Sequence, residues 1–390
     1  VGSKVNKKKI FKIFLFTLLA LLLSTLIYFL YKGYKVTKDV GFNFSPGELI
    51  NITKEPELQK DSSGKYTNVM IVGIDTREKG NLLNTDVLIV GSYNHETKDI
   101  VMISVPRDFH AQIDPTKFWF NKINACYMVN EQKKKGSGLD VLETVIEDVV
   151  GMEIQYHVMV DFKAFVDLID AVGGVYVNVD NSFTDYMYPL GTGYQTVSFK
   201  AGPQLMDGDT ALKYSRSRHS MQNGEGSDYA RARRQQKVID AFKSAILSSE
   251  TLLNPTKLMA LFSSVQDNVK ASEFNIEDIQ AGINILKDIK DGQTSSTYSF
   301  VLDPTAGNYS LISTDVVKNA GYAIAPKEGL GQYSNINEYV QLILKYPILY
   351  SENPSINVYD TGLGYQDTYS KTKDLKEEYP YLNIRFMGPK

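Results

Sequence analysis

The chain has 390 residues, with 42 Lys and Arg against 45 Asp and Glu and a net charge of −3. Its 43% hydrophobic and 22% charged residues are those of a folded globular protein, and the near-neutral balance excludes a general nucleic-acid binder, which needs a broad basic surface. A single cysteine, Cys126, excludes an intramolecular disulfide, and His95, His110, His157 and His219 are scattered without zinc-site spacing.

Residues 1–12 form a basic segment carrying Lys4, Lys7, Lys8, Lys9 and Lys12, and residues 13–31 have no formal charge. A helix over 13–31 covers about 28 Å, against a hydrocarbon core of about 30 Å, so the pattern predicts a transmembrane helix. Tyr28, Tyr31 and Tyr34 suit the membrane interface, whereas a cleaved signal peptide would end in small residues. The lysine excess before the span predicts a cytoplasmic N-terminus and an extracellular remainder. Residues 32–65 are polar and weakly patterned, as expected of an extracellular stalk.

Asn68–Ile74, Val87–Tyr93 and Ile100–Val105 read as strands apolar on both faces, the mark of a sheet covered on both sides. The short polar link Asn94–Asp99 favours a hairpin. An antiparallel meander would bring the end of the first strand, the start of the second and the end of the third to one edge. There Asp75, Asp86 and Arg107 would converge. Facing carboxylates are costly without a cation between them, so a magnesium-type ion is one reading and simple turn capping is the other. Leu139–Val149 and Phe162–Val172 carry helical apolar periods, the second stopped by Gly173–Gly174, and Val175–Val179 returns to strand. This alternation predicts a layered α/β fold, a central mixed sheet flanked by helices. Cys126, within an apolar run, reads as a small buried hydrophobe.

The densest signal is YSRSRHSMQNGEGSDYARARRQQKVI, residues 214–239. If Tyr214–Arg218 is extended, Arg216 and Arg218 project from one face. His219–Ser227 reads as a loop, and Ala230–Leu247 as a helix with Arg231, Arg234 and Gln235 on one side at i, i+3 and i+4. That side continues into Val238 and Phe242, the apolar stripe, whereas Arg233, Lys237 and Asp240 face solvent. Arginines aligned with a buried stripe need an anion: a ligand phosphate, or a network of ion pairs with distant acids. Farther on, Ile276–Ile289 is helical, so the main domain is expected over 66–290, and a tyrosine-rich accessory α+β region over 295–390.

In this order, NVMIVGIDTR, NTDVLIV, VMISVPRD, KINACY, VDFKAFVDLIDAVGGVYVNV, LKYSRSR and DYARARRQQKVI resemble the LytR–CpsA–Psr family of bacterial cell-wall phosphotransferases. The resemblance implies transfer of a phosphoglycan (teichoic acid, capsule or a related polymer) from a polyprenyl-pyrophosphate carrier to a peptidoglycan hydroxyl, by a membrane-anchored enzyme. It assigns Asp75 and Asp86 to Mg2+ or Mn2+ and the pyrophosphate, and Arg107 and Arg218 to catalysis with them. Arg77, Arg107, Arg216, Arg218, Arg231, Arg234 and Gln235 fall to pyrophosphate binding. Ala230 stands where the family more often has glycine, which affects the aim of Arg231. A hydrolase of the same pyrophosphate, or a non-catalytic lipid-binding or regulatory wall protein, would carry the same residues.

Overall fold

The structure, a computed structural model, describes residues 42–43, 56–74, 83–191, 193–248, 265, 268–272, 274–290, 296–302, 311–314, 317, 323–352, 355–379 and 381–389. The expected membrane helix at 13–31, Asp75 and Arg77 lie outside them. Among the described residues no helix is long and apolar enough to cross a membrane.

The fold begins with the antiparallel meander that the apolar runs foretell: β1 (Tyr66–Ile74), β2 (Thr85–Asn94) and β3 (Ile100–Ser104). The β2–β3 link turns at Lys98, whose φ is 66°, and Asn94 N–H donates to the Asp99 carbonyl at 2.9 Å. A second hairpin, β4 (His110–Asp114) and β5 (Trp119–Lys122), leads to α1 (Cys126–Lys133) and α2 (Gly138–Val150). β6 (Tyr156–Asp161) returns to the sheet parallel to β1. Asp161 then starts α3 (Phe162–Ala171) by accepting from Ala164 N–H at 2.8 Å, a side-chain cap on an otherwise orphaned donor.

β7 (Val175–Val179), β8 (Phe183–Leu190), β9 (Gly193–Phe199) and β10 (Gly202–Met206) form two small sheets, β7 with β10 and β8 with β9. They are followed by α4 (Gly208–Arg216), capped by Asp207, and by α5 (Asp228–Ser248). β11 (Val269–Ala271), α6 (Ile276–Lys290) and β12 (Thr297–Val301) complete the central layer, with α7 (Ser334–Lys345) beyond it. The six-stranded mixed sheet has the order β11-β6-β1-β2-β3-β12. The chain closes with β13 (Ser355–Asp360), α8 (Tyr365–Glu378) and β14 (Asn383–Pro389), a unit whose two strands are parallel.

Side-chain alternation assigns the two faces of the sheet. Met70, Val72, Leu88, Val90, Val101 and Ile103 bury against α2 residues Leu142, Ile146 and Val149 and against Val340 and Ile343 of α7. The opposite face looks toward α5 and α6. A second core joins β7–β10 to α3, α4 and α5 through Val177, Phe183, Phe199, Tyr214 and Val238. Cys126 is free and fully buried, and burial pushes its thiol up to about 12, as expected of a packing residue.

Three sequence expectations are corrected here. The boundary between 66–290 and 295–390 does not divide the structure, because Thr297–Val301 pairs with Ile100–Ser104 in the central sheet and Ile336, Val340, Leu382 and Ile384 share its core. The stalk at 32–65 is not free along its length: Phe42–Asn43 pairs with Phe274–Asn275, and Gln59 N–H donates to Tyr156 Oη at 3.0 Å. The segment around Tyr214–Arg216 is helical rather than extended, since burial of Ala211, Tyr214 and Ser215 outweighs the period-two spacing of the arginines.

Candidate functional site

Asp86 and Arg107 meet at one end of the meander. Gly73 faces Val87 and Ile74 faces Thr85, so Asp86 is the extra residue of a β-bulge. Such an irregularity re-aims a side chain at a sheet edge. Arg107 Nη1 donates to Asp86 Oδ1 at 2.9 Å, joining the second and third strands as the meander requires. Asp108 lies 3.4 Å from Arg107 Nε and is held from its other side by Lys122 Nζ at 2.5 Å. Arg107 Nε is buried without a hydrogen bond among the described residues. Burial opposes the Arg107 charge, but Asp86, Asp228 and Asp108 outweigh it and hold its pKa above the ordinary arginine value.

The arginines of the YSRSR and DYARARRQQ runs separate into two kinds. Arg231 is buried at the start of α5 and ion-paired to Asp228 one turn back, at 2.9 Å. Burial first, with repulsion from Arg107 and Arg218, lowers its pKa to about 10 against the pull of Asp228 and Asp86. That coupling brings Asp86, Arg107, Arg218, Asp228 and Arg231 into one electrostatic cluster. Ala230, beside Arg231 in the first turn of α5, is buried. Arg216 stacks its guanidinium over the Phe162 ring, 4.0 Å from the centroid, and donates from Nη1 to Tyr188 Oη at 3.2 Å. Gln235 donates to the Ser215 carbonyl at 3.4 Å, tying α5 to the end of α4.

Arg234 belongs elsewhere. Its Nε donates to the Tyr214 carbonyl at 2.9 Å, Nη1 to the carbonyl and carboxylate of Glu225 at 2.9 and 2.5 Å, and Nη2 to the Ser217 carbonyl. Its plane also lies against the Phe183 ring. The expected assignment of Arg234 to the anion is therefore corrected: of its five donors, four are committed to the chain, and it fastens the 217–227 loop to α5. Glu225 lies in the same arginine-rich stretch rather than among distant acids, and the carbonyl partners carry no sequence signal.

Two further residues carry no sequence signal for this site. Asp185, on β8, is fully buried beneath the turn that carries Arg218. Gln236 is buried against the sheet, its Nε2 donating to Ser104 Oγ and the Phe300 carbonyl, each at 2.8 Å. It anchors α5 to β3 and β12, the strands beside Arg107. Both bonds join residues far apart in the chain.

One turn beyond Gln235, the same helix becomes the wall of an apolar cavity of about 510 Å³. Ile239 and Ile246 of α5, Ile279, Ile283 and Leu286 of α6, and Val69, Ile71 and Met102 of the sheet line it. Gly282 leaves it open, since a Cβ there would meet nothing within 4 Å. Charged and apolar requirements thus sit on consecutive stretches of α5, Gln235 and Ile239 being about 6 Å apart at 1.5 Å per residue.

No group of three His, Cys, Asp or Glu side chains suited to a metal ion occurs among the described residues. Asp86 offers one carboxylate already engaged on Oδ1 by Arg107. Its expected partner in holding a cation, Asp75, lies outside the described residues.

The profile of the LytR_cpsA_psr family matches residues 32–318. The chain belongs to the LytR–CpsA–Psr family. Among the relatives of this LytR–CpsA–Psr protein, a polyisoprenyl-teichoic acid–peptidoglycan teichoic acid transferase, TagU, from Bacillus licheniformis is 30% identical over 288 residues, covering 72% of this chain and 85% of its own. TagU from Bacillus subtilis is 30% identical over 286 residues, with coverages of 72% and 84%. The regulatory protein MsrR from Staphylococcus aureus is 28% identical over 264 residues, with coverages of 66% and 74%. The crystal structure of Bacillus subtilis TagV superposes with a TM-score of 0.52 at 23% identity, covering 74% of this chain and 99% of that one. Protein gbs0355 from Streptococcus agalactiae gives 0.52 at 23%, covering 72% and 92%. Both share the mixed central sheet of the LytR–CpsA–Psr fold.

Proposed function

We propose that this protein is a membrane-anchored phosphotransferase acting on the outer face of the cell. It would move a phosphoglycan such as teichoic acid from a polyprenyl-pyrophosphate carrier to a peptidoglycan hydroxyl. The observation that carries this reading is α5, whose first turns hold Arg231 and Gln235 and whose later turns wall the apolar cavity. An amphiphile with an anionic head and a long apolar tail matches such an element. The transferase names of the TagU relatives supply the glycan and the acceptor.

In this reading Arg107, Arg216, Arg218 and Arg231, with Gln235, receive the pyrophosphate, and the cavity takes the first isoprene units. The acceptor hydroxyl attacks the phosphorus that bears the glycan. A new phosphorus–oxygen bond forms, the bond to the bridging oxygen breaks, and polyprenyl phosphate leaves with the electron pair. Arg218 and Arg107 offset the charge that develops on the leaving oxygen, where preorganised donors in dry surroundings contribute most. Asp86, with Asp75, would hold Mg2+ or Mn2+, which when bound neutralises phosphate charge. The hydroxyl proton passes to an aspartate of that pair.

The test combines the protein, a short-chain polyprenyl-pyrophosphate glycan, magnesium and peptidoglycan oligomers. Polyprenyl phosphate release coupled to glycan attachment, and lost in Asp86→Ala, is the expected result. Release without attachment would identify a hydrolase, and binding with neither a lipid-binding protein.

A further inference from the structure

We infer that Asp185 is the positioning residue for Arg218, and through it a determinant of pyrophosphate recognition at the site; this rests on the functional reading above. Oδ2 of Asp185 accepts from Ser217 Oγ at 2.6 Å, from Arg218 N–H at 3.0 Å and from His219 N–H at 3.2 Å. Oδ1 accepts from Met187 N–H at 2.9 Å. Three consecutive residues thus converge on one oxygen at the point where α4 has ended, with Ser217 already extended at ψ 137°. There the helical ladder has stopped, and the carboxylate takes its place in holding the peptide units on either side of the Arg218 Cα.

The aim of Asp185 comes from an irregularity in its strand. Tyr188 pairs with Gln195 and Asp185 with Val197, so Tyr186 and Met187 stand against the single residue Thr196. Regular alternation would send positions 185 and 188 to opposite faces; the bulge turns both inward, and both are buried. Tyr188 Oη accepts from Arg216 and Asp185 holds the backbone of Arg218, so one bulge serves both arginines of the RSR run. Burial raises the cost of the Asp185 charge, but its donors outweigh this and hold its pKa below the ordinary carboxylate value. It remains an acceptor at neutral pH.

A carboxylate that only stabilised the fold would affect binding equally whether or not Arg218 carried its guanidinium. The measurement is calorimetric affinity of the full chain for inorganic pyrophosphate with magnesium, in Arg218→Ala, Asp185→Asn and the double variant. Arg218→Ala is expected to weaken binding about tenfold or more, and Asp185→Asn about fivefold, since small displacements of a positioned group are costly. In the Arg218→Ala background, Asp185→Asn should change the affinity less than about twofold, the non-additivity of coupled residues. Equal losses in both backgrounds, or unchanged binding in Asp185→Asn beside weakened binding in Arg218→Ala, would overturn the inference and leave the site reading intact. Unchanged binding in Arg218→Ala would overturn both. Ser217→Ala, which removes one of the bonds without burying a new group, carries the same cycle if Asp185→Asn does not fold.

Discussion

Arg218 and Arg234 come from one arginine-rich stretch, yet Arg234 is fastened to the chain by four hydrogen bonds, whereas the proposed function gives Arg218 to the pyrophosphate. Arg218→Ala is expected to lower turnover by about 2–4 kcal/mol of transition-state stabilisation while leaving the melting temperature near that of the parent, with steady-state kinetics as the measurement. Arg234→Ala removes donors from three backbone carbonyls and from the Glu225 carboxylate, which is 13% exposed. Breaking a buried pair from one side costs about 3–5 kcal/mol, so this variant should shift the urea midpoint strongly and lose activity only as it unfolds. Asp114 gives a pH test. Lys133 first, and Thr116 with it, hold its pKa down at about 2, against 3.8 for an ordinary aspartate. Because the folded value is the lower one, the contribution is present above about pH 4 and disappears as pH falls toward 2. Asp114→Asn should flatten that acid limb in thermal melts.

At the scale of elements, α5 carries Arg231 and Gln235 and walls the cavity, the two features the proposed function joins, and α6 lines the cavity beside Gly282. Gly282 points a missing side chain into free space. Gly282→Phe should therefore lower the affinity for a short polyprenyl phosphate about tenfold, one 1.4 kcal/mol step, while inorganic pyrophosphate binds as before. Parallel loss of both ligands would mean that the cavity and the arginines do not serve one molecule. The apolar runs of β1, β2 and β3 and the helical patterns of α2, α3 and α5 were legible because each strand is covered on both faces and each helix buries a continuous local stripe. The end of α4 was not: Arg216 and Arg218 alternate as in a strand, but Ala211, Tyr214 and Ser215 are buried on one helical face, with Tyr214 packed against Phe199 and Phe183.

For the whole molecule, the pairing of β12 with β3 ties the C-terminal third to the central sheet. A chain ended at residue 290 would uncover Ile103 and Val101 along β3 and remove Phe300, Ile343 and Leu344 from the core. Such a fragment is expected to lose cooperative melting and near-ultraviolet dichroism; a fragment that melts like the parent would restore the boundary expected from the sequence.

Composition and local patterning determined that this chain folds as layered α/β, that a meander edge gathers Asp86 with Arg107, and that arginines sit on the buried side of a helix. Motif order alone pointed to the LytR–CpsA–Psr family. Tertiary structure decided that Arg234 is committed to the chain, through carbonyl and carboxylate partners brought to it by folding. It decided that Asp86 and Asp185 stand at bulges, since a bulge is a property of two paired strands and neither strand's sequence contains it. It also decided where the domain ends: a parallel pairing between Ile100–Ser104 and Thr297–Val301 is closed by contacts formed only once the intervening chain has folded.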